Sequence, residues 1–165
     1  MRFLSFLMLA SMLMLGACKS SQKAQGKKGG PNPFLPTELR DIDFGWAMTR
    51  VADIQDLKST NVQQESFRTT AYQMASMGDI EGVAYYFDDA DPQPLYEVLV
   101  MYKSEEARDA AASELLGKPN YENNTEWLLE SGRGYQLRAW TFKNKLVLVA
   151  LLPGTEWYED MHGKE

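Results

Sequence analysis

Eight consecutive residues, Leu95 to Tyr102, read LYEVLVMY, and they restrict the fold more than any other stretch of the chain. With the two-residue period of a strand, Tyr96, Val98, Val100 and Tyr102 share one side, and Leu95, Leu99 and Met101 share the other with Glu97. A strand that is apolar on nearly both sides belongs inside a sheet. The breaker DDADPQP just before it, Asp88 to Pro94, marks where the chain turns to enter it.

Other segments supply the neighbours of that strand. SFRTTAYQMAS and IEGVAYYFDD alternate like strands and are joined by Met77-Gly78-Asp79, which predicts a hairpin. TEWLLES, YQLRAWTF and KLVLVALL read as three more strands, with Asn144 at a tight turn between the last two. Two helices are predicted. In TRVADIQDLK, Thr49 is placed to cap and Val51, Ile54 and Leu57 approximate one face. In SEEARDAAASELLGKP, Ser104 caps, Glu105 and Glu106 sit in the positive first turn, and Ala107, Ala110, Ala111 and Leu115 line one face. Gly117 and Pro119 stop it. The domain thus divides into two halves, Thr49 to Tyr102 and Ser104 to Leu152, each a helix followed by three strands. The expected class is α+β, an antiparallel sheet with helices on one face, built as two tandem α-β-β-β units.

The N-terminus has a different character. After Met1 and Arg2, the run from Phe3 to Leu15 is apolar except for Ser5 and Ser11, the length of a signal-peptide core and short of the roughly 20 residues that span a membrane. The run ends in Leu15-Gly16-Ala17-Cys18, which resembles the lipobox of bacterial lipoproteins. The resemblance implies cleavage between Ala17 and Cys18, with the Cys18 thiol carrying a diacylglyceryl group and the new N-terminus acylated, as by palmitate. Residues 1–17 then form the signal peptide, 18–36 a lipidated cysteine with a basic tether, and 37–165 one domain. Several acyl chains together hold a protein firmly to a bilayer. Lys19 stands where an aspartate would favour retention in the inner membrane, so the expected location is the cell envelope, at the outer membrane and facing the periplasm.

Cys18 is the only cysteine, so the mature domain has no thiol for a disulfide, a nucleophile or a zinc site. Lys19, Lys23, Lys27 and Lys28 lie in the tether, whereas all 23 acidic residues lie at or after Glu38 with 12 of the Lys and Arg residues, a formal −11 for that region. Such a balance argues against nucleic acid, which needs a basic patch. The one histidine, His162, falls in the polar stretch EDMHGKE and reads as solvated. Asp88, Asp89 and Asp91 crowd a turn, but a calcium loop counted from Asp89 would put Pro94 at its glycine and Val100 at its distal glutamate. No catalytic, metal or cofactor residues are assigned.

The helix, then Leu115-Leu116-Gly117-Lys118-Pro119, then three strands resembles the unit of the SmpA/OmlA (BamE) lipoproteins, whose Gly-Met-Thr opening is echoed by Trp46-Ala47-Met48-Thr49. Two such units in tandem are similar to the β-lactamase-inhibitor-protein fold. Trp127, Trp140 and Trp157, with Tyr85, Tyr86, Tyr96, Tyr102 and Tyr135, are numerous for a sheet that small helices cover on one side. They either fill the core or form a recognition surface on the opposite face. The expected role is a non-catalytic envelope lipoprotein that binds or scaffolds a protein partner and is held to the membrane through Cys18. The alternative is a small-ligand carrier or hydrolase with a cleft of Asp, Glu, Tyr and Ser.

Overall fold

The structure, a computed structural model, describes residues 30–163; the signal segment, Cys18 and the lysine-rich stretch lie outside the described residues. Seven strands form one antiparallel sheet: β1 (Val62–Gln64), β2 (Arg68–Met77), β3 (Ile80–Asp88), β4 (Leu95–Tyr102), β5 (Trp127–Glu130), β6 (Gln136–Phe142) and β7 (Lys145–Leu151). Their order is β1-β2-β3-β4-β7-β6-β5. The helices are α1 (Met48–Gln55), α2 (Glu105–Leu116) and α3 (Glu156–His162). The expected α+β class and antiparallel sheet are what the chain forms.

Two units, α1 with β1 to β4 and α2 with β5 to β7, meet through their last strands, β4 pairing with β7 from Glu97 opposite Val149 to Met101 opposite Lys145; the short β1 is a strand beyond the three expected of the first half. This explains LYEVLVMY and KLVLVALL together, because the two central strands carry apolar side chains on both sides. Residues 146–151 of β7 are all buried. Val98, Val100, Leu146 and Leu148 join the main core, whereas Val147, Val149 and Leu151 belong to a second cluster on the opposite face. The α1 and α2 helices contribute to the main core; α3 packs on the other side through Trp157, Tyr158 and Met161. Helices on one face therefore describes the two units, and α3 is an addition beyond them.

Local chemistry accounts for the ends of these elements. Ser104 Oγ accepts the Ala107 amide at 3.2 Å, the expected cap of α2. The β2–β3 turn uses Gly78 at φ +61, a conformation open to glycine. At the β6–β7 turn, Asn144 Nδ2 donates to Tyr102 O at 2.6 Å, and the Tyr102 amide donates to Asn144 O at 2.9 Å. The turn of the second unit is thereby stapled to the last strand of the first.

Four details differ from the sequence reading. Helix α1 starts at Met48 behind Ala47 with no side-chain cap, so Thr49 is inside it, and Ile54 is 43% exposed while Val51 and Gln55 are buried. Gln55 takes the inner place because its carbonyl accepts from Gln73 Nε2 at 3.1 Å and its side-chain oxygen from Tyr85 Oη at 3.4 Å. In α2 the inward stripe is rotated: Arg108, Ala112 and Leu116 are buried and Ala110 is exposed. Arg108 buries its aliphatic stem while its guanidinium pairs with Asp109 at 2.7 Å. On β4 a register shift opposite Tyr86 and Phe87 breaks the alternation, so Leu95 enters the main core and the Tyr96 hydroxyl bonds Glu156 of α3 at 3.0 Å.

The fourth concerns the domain boundary, which falls before residue 37. Asn32 and Leu35 are fully buried, so the stretch from Pro31 belongs to the domain. Asn32 Nδ2 donates to Asp43 Oδ1 at 2.9 Å, which also accepts from the Tyr135 hydroxyl at 2.8 Å. Asp43 Oδ2 accepts from Arg133 Nη2 at 2.6 Å and Nε at 2.7 Å, a two-pronged pair largely out of water. One carboxylate thus ties the N-terminal segment to the β5–β6 connection. Removing it strands a shielded guanidinium, so Asp43→Ala should lower unfolding free energy by about 3 kcal/mol in a urea titration. A loss below about 1 kcal/mol would mean that Leu35 and Leu39 hold the segment by packing alone.

Candidate functional site

Strand register sets the face opposite α1 and α2 in rows that cross the sheet. One row runs Tyr72, Ala84, Leu99, Val147 and Trp140, each opposite the next on the neighbouring strand. The next runs Met74, Gly82, Met101, Lys145 and Phe142. With strands about 4.8 Å apart, each row spans about 19 Å. Among the described residues no helix covers their free ends: Met74 is 72% and Phe142 58% exposed, and Tyr72, Leu99, Met101 and Trp140 are half-buried. A contiguous apolar surface of this kind is a feature of interaction sites.

The floor of this surface is kept low by composition. A Cβ on Gly82 would lie 3.0 Å from both Met101 Cε and Met74 Sδ, so the two thioethers converge over the glycine. Methionine side chains are unbranched and polarizable and re-pack readily against different partners. Tyr72 and Trp140 rise at the two ends of the adjacent row, with Ala84 and Val147 between them.

A third row, Thr70, Tyr86, Glu97, Val149 and Arg138, lies beneath α3 and is polar. Glu97 is buried, and its Oε2 accepts the Trp157 indole N–H at 2.6 Å. Trp157 in turn meets Trp140 edge-on at 5.0 Å. Beside it, Glu156 Oε1 accepts from the Tyr96 hydroxyl at 3.0 Å and pairs with Arg68 at 3.5 Å. Arg68 also bonds Glu65 at 2.9 Å and stacks over the Tyr86 ring at 4.9 Å. Burial pushes the Glu97 carboxyl up to about 7; the Trp157 N–H and Arg68 oppose that rise, and Glu156 adds to it.

The residues singled out from sequence separate clearly in space. Trp127, Tyr85, Tyr96, Tyr102 and Tyr135 are buried, and the Trp127 indole donates to Gly117 O at 3.1 Å. Tyr86, Trp140 and Trp157 lie half-buried on the face opposite α1 and α2. Tyr72, Met74 and Phe142 complete that surface; strand parity is the signal that reaches them, since each shares a row with a residue of β3, β7 or both. His162 is exposed as expected, but it ends α3, stacked on Tyr158 at 4.3 Å with Nδ1 3.0 Å from Tyr158 O. Asp88 accepts the Ala90 amide at 2.8 Å, closing its own turn. Ala17 and Cys18 lie outside the described residues. Among the described residues, no three or more His, Cys, Asp or Glu side chains are grouped to hold a metal ion, and no helix is long and apolar enough to cross a membrane.

No family model, no curated protein and no solved structure matches this chain.

The Glu97 geometry has a consequence for stability. The folded chain holds this proton to higher pH than the unfolded chain, whose carboxyl titrates near 4.5. The protonated form's contribution is complete below that value and is lost as pH rises through about 7. Glu97→Gln should therefore match the wild type at pH 4 and exceed it at pH 8.5 by at most about 3–4 kcal/mol, each pKa unit being worth about 1.4. Parallel pH profiles of the two unfolding midpoints would show that Glu97 titrates alike in both states.

Proposed function

We propose that this protein is an envelope lipoprotein, anchored to a membrane through acyl chains on Cys18, whose domain binds another protein and does no chemistry. The observation that carries the binding reading is the uncovered strip of Tyr72, Met74, Met101, Trp140 and Phe142, which combines aromatic anchors with adaptable thioethers. The occupant that suits it is a partner segment apolar along one side and acidic at its end. Lys143 and Lys145 stand beside Phe142 at one border, in a domain otherwise rich in carboxylates. The two helix-then-strands units, of four and three strands, joined at β4 and β7, are in keeping with a likeness to the SmpA/OmlA (BamE) lipoproteins and to the β-lactamase-inhibitor-protein fold. A periplasm-facing outer-membrane location rests on Lys19 following the cysteine.

Anchor and surface are tested separately. A clickable fatty acid should label the wild type in cells and leave Cys18→Ala unlabelled; equal labelling removes the anchor. For the surface, a photo-crosslinking residue at Phe142 or Met74 should capture one and the same envelope protein in intact cells. The same residue at Glu106, on α2, should not. Met74→Asp and Phe142→Asp should each reduce the capture at the other position at least about tenfold, the effect of losing one anchor worth about 1.4 kcal/mol. Equal capture from Glu106 would deny this face a partner.

A further inference from the structure

On the helix-covered side of the sheet, away from the strip, the 3₁₀ turn Thr37–Leu39, the β2–β3 turn and the last turns of α2 enclose a cleft of about 290 Å³. Pro36, Met77, Ile80, Ala111 and Leu115 supply apolar wall, and Glu38, Asp79 and Glu114 supply carboxylates. Tyr102 completes the lining; it is 3% exposed, and its hydroxyl has no hydrogen-bond partner among the described residues. Buried hydroxyls in folded proteins are nearly always satisfied, so an orphan at a cleft asks for a water or a ligand. Its surroundings are negative: Glu38 and Glu114 both act on the phenol, whose ionisation burial pushes upward first and these carboxylates push further. Tyr102 is thus a neutral hydroxyl that can accept as well as donate.

The cations nearby keep their charge but each holds a backbone carbonyl, and the lining remains acidic, with three carboxylates to one guanidinium. Arg40 lines the cleft but its Nε donates to Leu35 O at 3.2 Å, and Lys103 Nζ donates to Gly78 O at 2.7 Å. The last turn of α2 has no basic residue, so the negative end of that helix adds to the same potential. Carboxylates, a phenol oxygen and an apolar wall in a space of this size suit one kind of guest. We propose that the cleft binds a small alkylammonium: its charged nitrogen, with three N–H donors, lies among Glu38, Glu114 and the Tyr102 oxygen, and its short hydrocarbon chain lies against Met77, Ile80 and Leu115. This site is independent of the protein-binding surface, which lies on the opposite face, and either can fail without the other.

Calorimetric titration of the full chain with n-butylamine, with n-butanol and butyrate as neutral and anionic counterparts, tests the proposal. Saturable binding of the amine alone is expected, weakened about tenfold or more in Tyr102→Phe and in Glu114→Gln, and unchanged in Glu106→Gln on the outer side of α2. Thermal unfolding of each variant establishes that it is folded. Three results would overturn the assignment: no saturable binding, equal binding of butanol, or amine binding that Tyr102→Phe leaves intact. The last, with Tyr102→Phe more stable than wild type, would mean that the hydroxyl is merely hydrated.

Discussion

The pairing of β4 with β7 is the interaction on which the rest of the molecule depends. Each unit alone is a sheet of only four or three strands with one small helix, too little to bury an apolar strand on both sides. Joining the units through their last strands places the two most apolar segments of the chain side by side at the centre, with β3 and β6 outside them. Val98, Leu148, Val100 and Leu146 then face the helices, and Leu99 and Val147 face away. The central strands need cover on both faces, whereas each unit carries a helix for only one. That mismatch creates the second face and its uneven protection.

α3 meets part of that need. It is seven residues long, has Thr155 at its N-cap with no side-chain cap bond, and contains no fully buried residue. A helix this short is marginal by itself and persists through tertiary contacts. Trp157 supplies them, by its edge-on contact with Trp140 and its indole bond to Glu97. A carboxylate out of water is costly, and here the cost is lessened by the indole donor and by Arg68 across from it. The polar third row and the helix above it are therefore one device.

The sequence made the strands legible because alternation survives wherever a strand has one wetter and one dry face, as in Gln136 to Trp140, and because a run such as KLVLVALL leaves no alternative. It made α2 legible through local chemistry, the Ser104 cap and the Gly117 stop. What escaped depends on long-range contacts. Asn32 is a polar residue in a Pro-Gly stretch until Asp43 and Tyr135, distant in the chain, make it part of the core. The outward Ile54 and inward Gln55 invert the hydrophobic rule because two side chains of the sheet, Gln73 and Tyr85, offer Gln55 hydrogen bonds. Three residues of β1 pair only because β2 is already in place. The candidate surface was half visible: aromatic abundance pointed to it, but the tally of Trp and Tyr mixed core residues with surface ones, and Met74 and Phe142 entered only when the register aligned them.

That register also explains why the uncovered strip persists in a folded chain. Ala84 and Val147 are buried beneath their neighbours, so the strip is supported from below by the same side-by-side strands that build the core. Replacing its exposed members changes little inside, since Met74 and Phe142 point mainly into solvent. The central residues are constrained differently, because any side chain at Gly82 would push both methionines away. A surface whose floor is locked by the sheet and whose rim is free to vary can change its partner without changing its fold. The border of that surface is set by Trp157, since α3 screens the third row only while the indole stays on Glu97 and Trp140. The extent of apolar surface offered to a partner is thus tied to one buried carboxylate on the central strand, the strand that also holds the two units together.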